Sequence, residues 1–296
     1  MPKMIDASCD TTSNIEALKK AGVTHVGRYY NNGDSPELPT KCLTKTEATA
    51  LSRAGLHIVV VFQKAQNTIS DFNSSEGGAA ALQALQCAAD VGQPLGSVIY
   101  FAVDFNANTD QVNKEISCYF TSVNKILDGK FEVGVYGSGM VCTLLYEAGL
   151  CQHRWLSCST SYEGTEQAIE NSAYDIRQLT MDGTKACSGQ QEIKGAKEIY
   201  QVTSNKIGTL SVDYDELGAV GAVGAFRLGV STYRVNVSAT SYLKLHEAPS
   251  LSSPVIGKLV AGQVVTKLST TNDWDHIETD DGQKGYASAK YLERID

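Results

Sequence analysis

The 296-residue chain carries a net charge of −8 and is 42% hydrophobic and 20% charged, a composition that can bury a sizeable core and carries no signature of disorder. Residues 233–296 hold seven Lys/Arg against eight Asp/Glu, leaving 18 against 25 upstream, so the acidity lies in the N-terminal part. No Lys/Arg-rich run or basic helix face is present, which argues against a nucleic-acid or membrane-surface binder. The longest apolar runs, such as HIVVVF, are of strand length, so no membrane insertion is expected.

In chain order, short β-branched or aromatic runs alternate with longer amphipathic stretches, the pattern of βαβ units around a parallel sheet. The runs are 3–8, 25–30, 57–63, 97–104, 131–137, 154–159 and 174–179, with an eighth between Ile199 and Tyr214. Eight such repeats predict a closed β/α barrel. Ser13 and Thr44 are positioned to cap the intervening helices, with Glu16 and Glu47 three residues on, and both helices end in Ala-Gly. Further helices are expected at 79–91 and 110–127, and the hairpin-like QQEIKGAKEIYQV reads as an insertion. The small, uncharged AVGAVGAF reads as a linker, over 219–232, or as the end of a closing helix. Beyond it, short alternating segments and a DDGQ turn predict a small all-β barrel over 233–296. The fold class is therefore α/β: a TIM-like barrel over 1–218 followed by a small SH3-like barrel.

The eight cysteines lie between Cys9 and Cys187 without CxxC or Cys/His spacing, so neither a metal nor a cofactor is expected and reduced thiols are the natural reading.

Leu243 to His246, Pro249-Ser250, VIGKLVAG, Trp274 and GYASAKYL resemble the bacterial SH3 domain pattern across the whole module. The resemblance implies tethering to peptidoglycan. Trp274 is the leading contact candidate beside Tyr242 and Tyr286, although Trp274 and Tyr286 equally suit the core of so small a barrel.

A β/α barrel presents its functional groups at the C-terminal ends of its strands. Those ends hold Asp6, Arg28 with Tyr29, Gln63, Asp104, Tyr136 with Ser138, Ser159 with Tyr162, Gln178 and Asp213. Converging carboxylates serve glycoside hydrolysis, where one protonates the leaving oxygen and another stabilises the positive centre. Asp6 alternatively caps a turn. Arg28 also reads as an ion-pair partner of Asp6 or Asp104. Tyr29, Tyr136 and Tyr162 are candidates to stack on sugar faces, with Gln63 and Gln178 as hydrogen-bonding residues.

The runs MIDASCDTTSNIEALKKAGVTHVGRYY, GSVIYFAVDF, FEVGVYGSGMVC and RWLSCSTSY resemble the glycoside-hydrolase-like domain related to the barrel-shaped family-25 lysozymes, over about residues 1–218. By position, Asp6 matches the first-strand aspartate, Asp104 the glutamate of a D-x-E pair, and Asp213 the aspartate of the last strand. Ala102 replaces the first acid of the pair, which removes one of the influences that raise the pKa of a catalytic acid.

The resemblance implies Asp104 as general acid, Asp6 as electrostatic or orienting partner and Asp213 at the rim. It implies a muramidase-like hydrolase acting on peptidoglycan glycan strands, with an inhibitor or immunity protein as a further class of partner. Ala102 keeps a non-catalytic wall-binding protein with a degenerate barrel as the alternative. With no apolar signal stretch in MPKMIDASCD, synthesis in the cytoplasm and arrival at the wall by non-classical export or lysis are expected.

Overall fold

The computed structural model describes residues 3–31, 35–180, 204–218, 223–229 and 231–295. Seven parallel strands form most of a barrel: β1 (Met4–Asp6), β2 (His25–Tyr30), β3 (His57–Phe62), β4 (Val98–Ala102), β5 (Glu132–Gly137), β6 (His153–Leu156) and β7 (Ile176–Gln178). A short ribbon of β8 (Lys206–Ile207) and β9 (Leu210–Ser211) precedes the strand that closes the barrel, β10 (Asp213–Leu217). That last strand departs from the expected all-parallel arrangement, because it runs antiparallel to both β1 and β7. The sequence 190–202, read as an insertion, lies outside the described residues.

Both faces of the sheet are covered, which is why HIVVVF is apolar without alternation. Val26 and Tyr30 point outward to the helical layer, whereas Val59, Val61, Tyr100 and Trp155 fill the interior. The layer includes α1 (Ile15–Lys20), α2 (Lys45–Arg53), α3 (Ser74–Val91), α4 (Thr109–Gln111), α5 (Ser117–Leu127), α6 (Gly139–Glu147) and α7 (Thr165–Glu170), with a π-helical turn at Val112–Ile116 joining α4 to α5. Thr44 Oγ1 accepts from Glu47 N at 3.1 Å as the sequence predicts, but Ser13 caps nothing, since a 3₁₀ turn at Thr12–Asn14 leads into α1. Gly22 and Gly55, at φ +83° and +84°, supply the left-handed turns after α1 and α2. No helix among the described residues is long and apolar enough to cross a membrane.

Seven more strands, β11 (Ser231–Val235), β12 (Tyr242–His246), β13 (Val255–Val260), β14 (Val264–Thr271), β15 (Trp274–Glu278), β16 (Lys284–Ser288) and β17 (Leu292–Arg294), form the C-terminal all-β module. Its core is Leu243, Leu245, Leu259, Val265, Ile277 and Ala287 with their neighbours. The DDGQ turn joins β15 to β16, with Gly282 at φ +83°.

The segment expected to be linker is packed structure where it is described. Residues 223–228 plug the base of the barrel: Val223, Ala225 and Phe226 are buried. Phe226 and Ile58 exchange backbone hydrogen bonds of 2.8 and 2.9 Å, Val98 N donates to Gly224 O, and Tyr100 Oη donates to Val223 O at 3.1 Å. The small residues serve closeness rather than flexibility, because a Cβ on Gly224 would stand 1.8 Å from Val98 Cγ2.

The all-β module is seated on this same end. Arg227 pairs with Glu278, Arg234 with Glu132 at 3.1 Å, and Asp280 is buried beside the plug. Burial pushes the Asp280 carboxyl up to about 8 and holds His25 and His57, at the strand starts, down to about 4 and about 2.

Two outcomes follow from the base. A chain ended at Gly218 leaves the bonding groups of Ile58, Val98 and Tyr100 without the plug, so its thermal midpoint falls well below that of a chain ended at Gly229 that keeps it; equal midpoints would show that the plug contributes nothing. Because Asp280 binds its proton more tightly when folded, its ionisation costs stability progressively as pH rises from about 4 to about 8. Asp280→Asn therefore gains on wild type over that window, by up to a few kcal/mol, measured by urea unfolding at several pH values.

Candidate active site

The mouth opposite the plug is a pocket of about 180 Å³ lined by residues from all eight barrel strands, with Gln63 and Asp104 just past the ends of β3 and β4. Asp6, Tyr29, Gln63, Asp104, Tyr136, Gln178 and Asp213 all reach it, with Val61, Ala102 and Trp155 as the apolar part of the lining. Asp213 gets there from the start of β10, not its end, because the strand is reversed and Asp213 stands opposite Asp6.

A hydrogen-bonded ring holds the polar groups. Tyr29 Oη donates to Asp6 Oδ1 at 2.8 Å, Tyr136 Oη to Gln178 Oε1 at 2.8 Å, and Gln178 Nε2 to Asp213 Oδ2 at 3.1 Å. Asp6 thus accepts from a phenol rather than capping a turn. On the far side Gln63 Nε2 donates to Asp104 Oδ2 at 3.0 Å. Lys41 Nζ donates to Gln63 Oε1 at 3.2 Å and sits 4.6 Å over the Tyr29 ring. Burial raises the pKa of Asp104, against the opposing pull of Gln63 and Lys41. Desolvation is the stronger influence on Asp6, whose carboxyl rises to about 6. Gly27 makes this packing feasible: a Cβ there would stand 2.7 Å from Asp6 Cβ and 2.9 Å from Trp155 Cη2. Among the described residues no three His, Cys, Asp or Glu converge as metal ligands, and no disulfide joins any two of the seven described cysteines.

The profile of the Rv2525c-like, glycoside hydrolase-like domain matches residues 16–217. The chain belongs to that family. The bacterial SH3 domain profile matches residues 241–293. Two uncharacterized proteins of Bacillus subtilis (strain 168) are similar to this chain: FadG is 30% identical over 173 residues and YbfG 33% over 174. Those stretches cover 55% and 53% of this chain but only 30% and 24% of the relatives, so the chain spans less than a third of their length. The crystal structure of the Mycobacterium tuberculosis Tat-secreted protein Rv2525c has the same fold, with a TM-score of 0.58 at 21% identity over 72% of this chain and 94% of that one.

Three candidates of the Rv2525c-like chain stand elsewhere. Arg28 is a correction: it points outward from β2, fully buried, with Nε 2.8 Å from Glu47 Oε1 and its other nitrogens donating to Ala7 O, Thr40 O and Glu47 Oε2. Alternation along the strand decides this, since Tyr29 next door faces the pocket. Glu47 also accepts from Thr11 N and Thr11 Oγ1, so it locks loop to helix rather than completing a capping box. Tyr162 lies outside the pocket lining, in the turn that starts α7, where its N–H donates to Ser159 O. Trp274 belongs to a groove on the SH3-like module with Tyr242, His246 and Leu251, its ring edge-on to His246 at 5.1 Å; Tyr286 stacks on His276 instead.

Sequence reading missed Trp155, Lys41 and Asp215. The signal for Trp155 was present in the strand-like run 154–159, where alternation sends every second residue to the inner face; Lys41 comes from within the loop between β2 and α2, well past the strand end. Asp215 was passed over as one of several neighbouring acids, but it is fully buried and accepts from Trp155 Nε1 at 2.9 Å.

Arg28→Ala leaves Glu47 buried without its cation and is expected to cost about 3–5 kcal/mol of stability, read from the urea midpoint. A variant of unchanged stability that had lost only ligand affinity would return Arg28 to the binding site.

Proposed function

We propose that this chain is a peptidoglycan-directed glycoside hydrolase of the muramidase or lysozyme kind, held at the wall by its SH3-like module. The observation that carries the reading is the convergence of Asp6, Asp104 and Asp213 on one pocket walled by Trp155, Tyr29 and Tyr136. Aromatic faces pack against the apolar faces of sugar rings, and separated carboxylates serve the two halves of glycosidic cleavage. Asp104, at the open rim and with a raised pKa, donates a proton to the leaving oxygen. Asp6, deep and close to Trp155, stabilises the positive charge that develops on the sugar. Asp213, oriented by Gln178, holds the rim. The groove around Trp274 and Tyr242 is the tethering surface. The site of action is the wall, reached after export or lysis; the similar M. tuberculosis protein is described as Tat-secreted.

A second reading, a wall-binding protein without catalysis, is favoured by Ala102. It lines the pocket beside Asp104 where an acid would assist, and it is an apolar methyl.

Purified sacculi incubated with the full chain are expected to release glycan fragments identifiable by mass spectrometry. Asp104→Asn keeps shape but removes the proton, so release should fall by about 10²- to 10⁴-fold. Because Asp104 acts as an acid, activity declines as pH rises through its pKa. Equal release by wild type and variant refutes the role of Asp104, and no release from any wall by wild type favours the binding protein.

A further inference from the structure

Asp6 and Asp215 lie on paired antiparallel strands, Asp6 opposite Asp213 and Asp215 opposite Met4. Both side chains face the barrel interior at diagonal positions of the pair, which makes the two carboxyl groups neighbours, and each is among the influences that shift the other's pKa. Each has one oxygen already engaged: Asp6 Oδ1 accepts from Tyr29 Oη at 2.8 Å and Asp215 Oδ1 from Trp155 Nε1 at 2.9 Å. The remaining oxygen of each, Oδ2, is buried without a hydrogen-bond partner among the described residues, and the Gln178 amide, which donates to Asp213, is a neighbouring neutral group that lowers the Asp6 pKa. Two carboxylates cannot both be ionised in contact inside a dry barrel, because desolvation and mutual repulsion act in the same direction, whereas one proton between them turns the repulsion into a charge-assisted hydrogen bond.

We propose that Asp6 and Asp215 form an acid–carboxylate pair that shares a single proton at neutral pH, with Asp215 as the positioning residue that sets the charge of Asp6 beneath the pocket. The surroundings agree. Burial lifts the Asp6 carboxyl to about 6 and that of Asp215 well above the carboxylate range, and the two titrate together. Asp213, on the same strand, adds further negative charge against Asp215. From the other strands the pair faces the phenols of Tyr29 and Tyr136, which burial keeps neutral, and the Cys158 thiol, pushed up to about 12. Of the cations, Arg28 is committed to Glu47, and Lys41 stands at the rim between Tyr29 and Gln63. None of these donates to either Oδ2, which leaves the shared proton as the group that joins them.

The pocket therefore carries one negative charge fewer than its acids suggest, which suits a neutral polyol such as a sugar ring better than a cation. Gain of a second proton gives two neutral acids; loss of the shared one gives two repelling carboxylates. Asp6 is thus an anion without an opposing like charge beside it only while Asp215 keeps its proton. The sugar-stabilising role of that anion rests on the hydrolase reading above; the shared proton itself does not.

The chain has two tryptophans, so Trp274→Phe leaves Trp155, bonded to the pair, as the sole indole emitter. In this full-length background, without substrate, Trp155 emission is expected to titrate in two steps, one near pH 6 and one well above it. Asp6→Asn should leave a single step, moved down from the upper one because the like charge is gone. Asp215→Asn keeps an acceptor for the indole and should retain only the lower step. A step that persists unchanged in both variants belongs to neither carboxyl and is set aside before the two steps are assigned. Two independent steps in the ordinary carboxylate range, each left in place when the other residue is changed, overturn the proposal. If a variant fails to fold, the titration of the unsubstituted pair still decides, since two steps both in the ordinary carboxylate range are incompatible with a shared proton. The two-step titration in a protein that cleaves no sacculi would refute the hydrolase reading and leave the pair standing.

Discussion

The reversed closing strand is the constraint on which the mouth of the barrel depends. Had β10 run parallel like its neighbours, Asp213 would stand at the base and Leu217 at the mouth. Running antiparallel to β1 and β7, it sets Asp213 level with Asp6 and Asp215 level with Met4 and Gln178. Three aspartates from two strands are thereby brought together on one inner wall. Residues i and i+2 of a strand share a face, so the sequence Asp-Tyr-Asp cannot send one acid inward without the other.

The two ends of the barrel handle their polar groups differently. At the base, the plug at 223–228 and the seated SH3-like module cover the strand starts, and burial keeps His25 and His57 uncharged. Charge that is buried there is paired across the two domains, as in Arg227 with Glu278. At the mouth the acids line a small cavity, and their hydrogen bonds run sideways around the rim, from Tyr29 to Asp6 and from Tyr136 through Gln178 to Asp213. The polar groups of the base hold two domains together, while the mouth leaves carboxyl oxygens facing space that a ligand can fill. Gly27 belongs to the same arrangement, since only a residue without a side chain lets Trp155 lie against Asp6.

Asp104 and Asp6 are acids in different settings. Asp104 stands at the open rim with Gln63 and Lys41 beside it, so burial raises its pKa against neighbours that lower it. Asp6 is enclosed, and the carboxyl next to it is a stronger influence than any cation. Ala102 shapes this division: with a methyl group where an acid could stand, the second carboxyl of the mouth comes from the opposite wall.

How much of this was legible in the sequence depends on the range of the interaction concerned. The strand His25–Tyr30 was readable to the residue and His57–Phe62 to within one, because their apolar and β-branched content is a local property. The barrel and the small all-β module followed from the order of such segments, and the families from the resemblance of runs such as GSVIYFAVDF and GYASAKYL. Asp6, Tyr29, Gln63, Asp104, Tyr136, Gln178 and Asp213 could be gathered into one site because a parallel barrel brings strand ends together whatever its helices do. The sequence could not say which way Arg28 faces, since one step of register separates the pocket from the helical layer and only Glu47 across that layer decides it. Nor could it distinguish the buried Asp215 from the other acids in SVDYDEL, or a plug from a linker at residues 223–228. Those distinctions depend on the direction of one strand and on how closely two backbones approach, which are fixed by residues far apart in the chain and meet only when the barrel closes.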